Sequence, residues 1–352
     1  MELKVNIKKR LRSFELVADF ELKNEVLGIL GHSGAGKSML LKCIAGLERP
    51  DDGYISLNGK VLYDSSCGIN LSPQQRRIGY LFQSYALFPN MTVEENLSFV
   101  MKERADLKPE RIEDLLASFS ISSLKDAFPS ALSGGQQQRA ALARAVAADL
   151  ELLLLDEPFS ALDTYVKEQL ESELDRLLFF YGNSAILVSH DVDEAFRLSD
   201  KMAVIQDGKL FPVKEKHELI SRPETSAEAV NAGFSNISSI SIVGDRELIA
   251  DEFGINITFN NIIPDWCRYI AISSRALELA ADTEQECVYT MELLRAVENT
   301  SSYFLYFRKS GTLGRAIKAE ISKEYIKDIS FLENRTEFGL RIPEASIMFL
   351  RQ

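Results

Sequence analysis

The sequence predicts an α/β fold with a mostly parallel sheet over about the first 215 residues, followed by a small all-β domain. Three observations carry this. The runs ELLLLDEP (151–158) and SAILVSH (184–190) lack polar alternation, as strands do when both faces are covered. KERADLKPERIEDLLASFSI and SGGQQQRAALARAVAAD combine strong helix formers with helical spacing, and strands alternating with helices imply crossover connections. Beyond about residue 215 the texture changes to short β-like runs divided by turn residues.

In chain order, MELKVNIKKRLRSFELVADF reads as two short strands around a basic turn. No continuous apolar core follows its basic residues, so it is not expected to be a secretory leader. VLGIL is a buried strand, and SMLLKCIAGL a helix. ISLNGKVLY (55–63) and RIGYLF (77–82) read as short strands. HELISRPETSAEAVNAGF reads as a helix and connector. SISIV, INITF, RYIAI, SYFLYF, RAIKAEI and SIMFL then follow, as in a small barrel. The domain boundary is placed near residue 230, giving 1–230 and 231–352.

Apolar residues make up 46% and charged residues 26% of 352, an ordinary globular balance. The net charge of −12 argues against a general nucleic-acid binder and against an electrostatic grip on anionic lipid. Cys43, Cys67, Cys267 and Cys287 show no CxxC spacing, so neither a zinc site nor a disulfide framework is expected, and reduced thiols are. No apolar run approaches the roughly 18–20 residues that cross a bilayer, so a soluble chain is expected, with any membrane work done through another chain.

GHSGAGKS fits G-x-x-x-x-G-K-[ST] without a gap: Gly31, then His32, Ser33, Gly34 and Ala35, then Gly36, Lys37 and Ser38, with Met39 continuing into the helix. A strand precedes it and a helix follows. Glycine lets successive backbone N–H groups converge on one point, and the helix N-terminus adds about half a positive charge there. Lys37 brings a full charge to the β- and γ-phosphates, and the Ser38 hydroxyl can ligate Mg2+. The loop is built to hold a nucleoside triphosphate.

LLLLDEP supplies the other half. Asp156, ending a strand, can place a carboxylate on the magnesium. Glu157 can polarise a water for in-line attack on the γ-phosphate. Residues 132–136, LSGGQ, resemble the signature motif of ATP-binding cassette proteins, and the resemblance covers nearly all of the first 215 residues. Gln83 in YLFQSYALFP is similar to the Q-loop glutamine, Ser160-Ala161-Leu162-Asp163 to the D-loop, and His190 in LVSHD to the switch histidine.

That resemblance implies a P-loop cassette with ATP and Mg2+ as cofactors, and with Gln83 reaching the metal. It implies a head-to-tail pair in which Ser133, Gly134, Gly135 and Gln136 close over the nucleotide held by a second copy. His190 contacts the γ-phosphate, and an aromatic residue of the first hairpin stacks the adenine: Phe14, although a simple alignment also admits Leu11. A helical subdomain at about 84–150 docks on integral-membrane permease subunits, with Tyr85, Leu87, Phe88 and Pro89 expected to be exposed and suited to a partner's short helix. The absence of a fused membrane span, the single cassette and the β-rich extension resemble an importer subunit. Such a subunit is peripheral at the cytoplasmic face of the membrane and is served indirectly by an extracytoplasmic substrate-binding protein. The extension resembles the OB-like TOBE/Mop-type domain of such ATPases.

NGKVLYDSSCGINLSPQQRRIGYLFQSYALFPNMTVEENLSF is similar to the molybdate importers, and sulfate, iron(III) and polyamine importers are the alternatives. One departure stands out. The position of an oxyanion-binding Arg-Asn pair in molybdate-type domains falls on Met291 and Glu292, and a glutamate repels an oxyanion. The competing class is a non-transport cassette protein of translation or DNA repair, but neither a coiled-coil insertion nor a second cassette is present.

Overall fold

Leu152 and Leu154 enter one hydrophobic core, while Leu153 and Leu155 enter another; Ile186 and Val188 likewise part from Ala185 and Leu187. Four leucines in a row thus serve both faces of one sheet, and each fully buried side chain contributes about 1.5–3 kcal/mol of hydrophobic stabilisation. The structure is a computed structural model describing all residues except 83, 102–107, 149, 161–163, 182–183, 281–286, 327–335 and 352. The chain divides into two units, Met1–Lys216 and His217–Gln352.

The first unit runs β1 (Glu2–Arg10), β2 (Glu15–Lys23), β3 (Val26–Leu30), α1 (Lys37–Ala45), β4 (Asp52–Leu57), β5 (Lys60–Asp64), β6 (Ile69–Asn70), α2 (Pro73–Arg76) and β7 (Ile78–Leu81). It continues through α3 (Val93–Val100), α4 (Lys108–Ser118), α5 (Gly134–Ala147), β8 (Leu152–Asp156), α6 (Thr164–Tyr181), β9 (Ser184–Ser189), α7 (Val192–Leu198), β10 (Lys201–Gln206), β11 (Lys209–Leu210) and β12 (Lys214–Glu215). Among the described residues these strands form one sheet in the order β6-β5-β4-β1-β2-β11-β10-β3-β9-β8-β7, with β12 on β10. β7, β8, β9, β3 and β10 are parallel, and β1, β2, β4, β5 and β6 are an antiparallel extension.

The first twenty-odd residues form the expected two strands, paired from Glu2↔Lys23 to Arg10↔Glu15. ISLNGKVLY differs from a single strand. It is a hairpin, because Asn58 (φ 51°) and Gly59 (φ 78°) make a two-residue left-handed turn of the kind that matches strand twist. On the face opposite α1, helices α3, α4 and α5 bury Leu97, Ile112, Leu115, Phe119 and Leu142 with the strands. α1 is fixed at its far end by Arg76. This fully buried guanidinium donates to the carbonyls of Cys43 (3.0 Å) and Ile44 (2.8 Å).

The second unit holds α8 (Lys216–Ser221, which begins on the last residue of the first unit), α9 (Ser226–Asn231), β13 (Asn236–Gly244), β14 (Glu247–Ala250), β15 (Ile255–Thr258), β16 (Tyr269–Ile272) and β17 (Glu278–Ala280). β18 (Val288–Glu298), β19 (Ser302–Lys309), β20 (Ile317–Ser322), β21 (Glu337–Arg341) and β22 (Ile347–Leu350) follow. Among the described residues these strands form two five-stranded antiparallel sheets, β15-β14-β13-β16-β22 and β17-β21-β18-β19-β20. They share a core that includes Phe253, Ile270, Met291, Leu305, Phe307 and Leu340, an arrangement compatible with the TOBE-like expectation.

Asn236 ties the two sheets. Its amide donates to the Ile272 (3.2 Å) and Lys318 (2.8 Å) carbonyls and accepts the Lys318 N–H (2.7 Å). Ala229 of α9 packs with Ala271 and Leu350, which places α9 with the β unit.

Candidate nucleotide site

The loops that follow β3, β7, β8 and β9 leave the carboxyl ends of adjacent parallel strands, where ligands bind in open α/β sheets. Gly31–Gly36 joins β3 to α1. Gly34 (φ 82°) and Gly36 (φ 109°) are left-handed, and a Cβ on Gly31 would stand 2.5 Å from the Ile205 carbonyl oxygen. The N-cap of α1 is Gly36, which offers no side-chain acceptor, and no acidic residue lies in the first turn. Its leading N–H groups therefore face the loop's concavity as an anion cradle.

Lys37 is buried beneath this cradle. Its Nζ donates to the carbonyls of Gly31 (2.7 Å) and His32 (3.2 Å) and pairs with Glu157 Oε1 at 3.3 Å. Glu157 Oε2 lies 3.6 Å from His190 Nδ1. The Ser38 hydroxyl donates to Asp156 Oδ1 (2.8 Å), and the Tyr80 hydroxyl donates to Asp156 Oδ2 (2.8 Å). Burial, and then the Asp156 carboxylate, push the Tyr80 hydroxyl far above its ordinary pKa, so it stays protonated and donates. Ser38 Oγ and Asp156 Oδ1 form a pair of hard oxygen ligands of the kind Mg2+ prefers. Two residues of the sequence-predicted site carry unusual backbone or exposure: Glu157 has φ 47°, and His190 is 60% exposed. A left-handed non-glycine residue stores on the order of 1–3 kcal/mol and is common at functional sites.

The turn after His190 is held from α6 and α7. Asp191 caps α7 by accepting from Asp193 N (3.0 Å) and Glu194 N (3.1 Å), and it pairs with Lys167. Lys167 also lies 3.4 Å from Glu194 Oε2. Burial dominates at Glu194 and pushes its pKa up to about 7, against the lowering effect of Lys167.

Phe14 lies beside the loop: a Cβ on Gly36 would be 3.4 Å from its ring, and one on Gly208 2.3 Å. Leu11 instead packs on the adjoining core. Ser133 and Gly134 are exposed, and Gly135 and Gln136 are half-buried. Ser133 and Gln136 cap α5 reciprocally, with Ser133 N–H donating to Gln136 Oε1 (2.9 Å) and Gln136 N–H to Ser133 Oγ (3.4 Å). Among the described residues no hydrogen bond or ion pair joins 133–136 to the phosphate loop of the same chain. Gln83 and Asp163 lie outside the described residues, as do Ala161 and Leu162. Of the segment after position 83, Pro89 is exposed. Tyr85, Leu87 and Phe88 are half-buried, with Tyr85 and Leu87 against the helical core.

Sequence reasoning passed over Tyr80, Asn96, Gln138 and Arg144. Asn96, fully buried, donates to the Phe88 (3.2 Å) and Met91 (3.1 Å) carbonyls and accepts Phe88 N–H (2.9 Å). The available signal was a polar group inside an otherwise apolar strand or helix face, which implies a buried partner.

Fold and cluster together define a phosphate-loop nucleoside-triphosphate-binding protein. Residues 18–160 match the family described as ABC transporter. The probable sulfate/thiosulfate import ATP-binding protein CysA of Chlorella vulgaris is 42% identical over 224 residues, 62% of this chain and 92% of that protein. The molybdate/tungstate import ATP-binding protein WtpC of Thermococcus kodakarensis is 42% identical over 236 residues, 66% of this chain and 70% of that protein. The match to the Fe(3+) ions import ATP-binding protein FbpC 2 of Haemophilus influenzae, 43% over 204 residues, spans 57% of each chain. Among solved structures, the dimeric post-hydrolysis state of the ATP-binding cassette MJ0796 bound to ADP and Pi aligns with a TM-score of 0.52 at 27% identity, over 61% of this chain and 99% of that one. The chain belongs to the ABC transporter family, in the group formed by these importer ATP-binding proteins.

Proposed function

We propose that the chain is the ATP-hydrolysing subunit of an ABC importer for an oxyanion, molybdate first, working through separate permease subunits at the cytoplasmic face of the membrane. The observation that carries the enzymatic part is the single cluster in which Lys37, Glu157 and His190, and beside them Ser38, Asp156 and Tyr80, meet at the open N-terminus of α1. Lys37 and the loop amides from Gly31 to Met39 bind and orient the β- and γ-phosphates. Ser38 and Asp156, with Gln83, would hold Mg2+, which neutralises developing phosphate charge. Phe14 stacks the adenine. Glu157 takes the proton of the attacking water, and His190, already facing Glu157, holds the γ-phosphate side of the site.

The exposed Ser133–Gly134 end of α5 is a second, separate anion-accepting surface. Two copies related by a two-fold axis would place each such end over the other's ATP. This supports an ATP-sandwich dimer docked on the permease through the Tyr85–Pro89 segment and fed by an extracytoplasmic binding protein. No nucleic acid is involved.

Molybdate is favoured by the resemblance over residues 58–99 and by relatives that include the molybdenum import ATP-binding protein ModC of Photobacterium profundum, 39% identical over 207 residues. Sulfate or thiosulfate is the second reading, favoured by the 92% span of the Chlorella protein. Two side chains speak against an oxyanion sensor at 291–292. Met291 is buried in the β core, and Glu292 is paired with Arg308 at 2.8 Å. Uptake of labelled molybdate, sulfate and iron by cells with and without the chain tests the cargo. Loss of molybdate uptake alone supports the reading, and loss of sulfate or iron uptake alone contradicts it.

A further inference from the structure

The geometry points to Gln138 as a positioning residue that couples the signature end of α5 to the chain's own Glu157. The inference rests on the function proposed above. Gln138 is fully buried on α5, five residues after Ser133, or about 7.5 Å along the axis. Its Nε2 donates to the carbonyl of Pro158, the residue after Glu157, and its Oε1 accepts from the Tyr85 hydroxyl at 3.4 Å. The amide's orientation is fixed, because a carbonyl can only accept and so must face the NH2 end.

The turn it holds is strained. Glu157 is left-handed (φ 47°), and its anchors include its N–H to the Val188 carbonyl (3.1 Å), Ser160 on its carbonyl, and Lys37 and His190 at its carboxylate. Such a conformation persists only where its surroundings over-determine it. The other end of the contact is strained too. Tyr85 (φ 62°) and Ala86 (φ 49°) are successive left-handed residues, and their carbonyls accept from Arg144 of the same helix at 3.1 and 2.7 Å.

α5 therefore grips the Glu157–Pro158 turn and the Tyr85–Ala86 bend with two buried side chains, while presenting Ser133 and Gly134 to solvent. A helix moves as a rigid rod. When Ser133 and Gly134 engage the nucleotide of a second copy, Gln138 carries that displacement to the Pro158 carbonyl and sets the Glu157 carboxylate. Each ATP thereby licenses hydrolysis at the other site, without Gln138 touching a phosphate.

The test is steady-state ATP hydrolysis by the full chain, titrated with Mg·ATP, for wild type, Gln138→Met, Gln138→Glu and Glu157→Gln. Gln138→Met keeps length and apolar fill but cannot donate. Its kcat falls by about 10- to 100-fold with KM changed less than about 2-fold, and the Hill coefficient drops toward one. In Gln138→Glu, burial raises the carboxyl pKa, so the protonated acid restores the donor at low pH. The ratio of its kcat to wild type therefore falls as pH rises from 6 to 9. Far-UV circular dichroism at each pH restricts the comparison to folded protein, because an ionised buried carboxylate also lowers stability as pH rises. Wild-type kcat and Hill coefficient in Gln138→Met, or a Gln138→Glu ratio flat with pH, overturns the inference. If these appear while Glu157→Gln is inactive, the coupling alone fails. If Glu157→Gln hydrolyses at the wild-type rate, the proposed reaction fails first.

Discussion

Replacing Tyr80 by Phe removes one oxygen and leaves the ring, which sits 4.4 Å from that of Phe82, in place. The consequence concerns Asp156. Among the described residues this buried carboxylate has two side-chain partners, Ser38 on Oδ1 and Tyr80 on Oδ2, each at 2.8 Å. Hydrogen bonds to charged groups contribute about 1.5–3 kcal/mol, and a buried acceptor left alone forfeits that contribution. Because no packing volume is lost, the expected destabilisation is the whole of that range and nothing further. With a urea slope of about 2 kcal/mol/M, the unfolding midpoint of the first unit falls by roughly 0.7–1.5 M. Far-UV circular dichroism follows that transition. Trp266, the chain's one tryptophan, belongs to the second unit and serves as an internal fluorescence reference. A Tyr80→Phe variant within about 0.5 kcal/mol of wild type would refute the reasoning, since surface-like substitutions fall in that band.

Other perturbations read other parts of the site. Lys37→Ala removes the cation from two loop carbonyls and from Glu157, and isothermal titration should show most ATP affinity lost. A Gly208→Ala variant places a methyl 2.5 Å from the Glu15 carbonyl oxygen and 2.3 Å from the Phe14 ring at φ 83°. It should weaken binding of a fluorescent adenine nucleotide severalfold if Phe14 stacks the base. Glu194 binds its proton more tightly folded (about 7) than at its usual value of 4.5, so between those values the folded protein holds the extra proton and stability falls as pH rises. Glu194→Gln should therefore gain stability relative to wild type between pH 5 and pH 8 in urea titrations, with Lys167 still paired to Asp191. Equilibrium dialysis of the full chain with molybdate should show no binding that depends on Met291 or Glu292, since one is core and the other is held by Arg308.

What the sequence made legible was whatever depends on neighbours in the chain. The strand, glycine-rich turn and helix around Gly31–Ser38 and the strand that ends at Asp156 are local features at fixed offsets, and spacing alone finds them. The apolar run of β8 announced a strand with two covered faces. Contacts that close over long separations were not legible. Tyr80 reaches Asp156 across 76 positions, and Arg144 reaches Ala86 across 58. A polar group on an apolar face implies a buried partner for each, but nothing local says which residue that partner is. β18 was passed over for a related reason. YTMELLRAVE mixes helix formers with a broken alternation, and a register shift between Leu293 and Arg295 accommodates the break only because β19 and β21 flank it. Tertiary pairing overrides propensity there. The Asn58-Gly59 turn, by contrast, is a legible hairpin signal within ISLNGKVLY.

The most direct measurement is the mass in solution of Glu157→Gln with and without saturating Mg·ATP, by sedimentation velocity. Two copies closing over two nucleotides give twice the 39.5 kDa chain mass with ATP and one chain mass without it. A Glu157→Gln chain that binds ATP tightly and still sediments as one copy at every concentration would show that the Ser133–Gly134 end of α5 never meets a second copy's nucleotide.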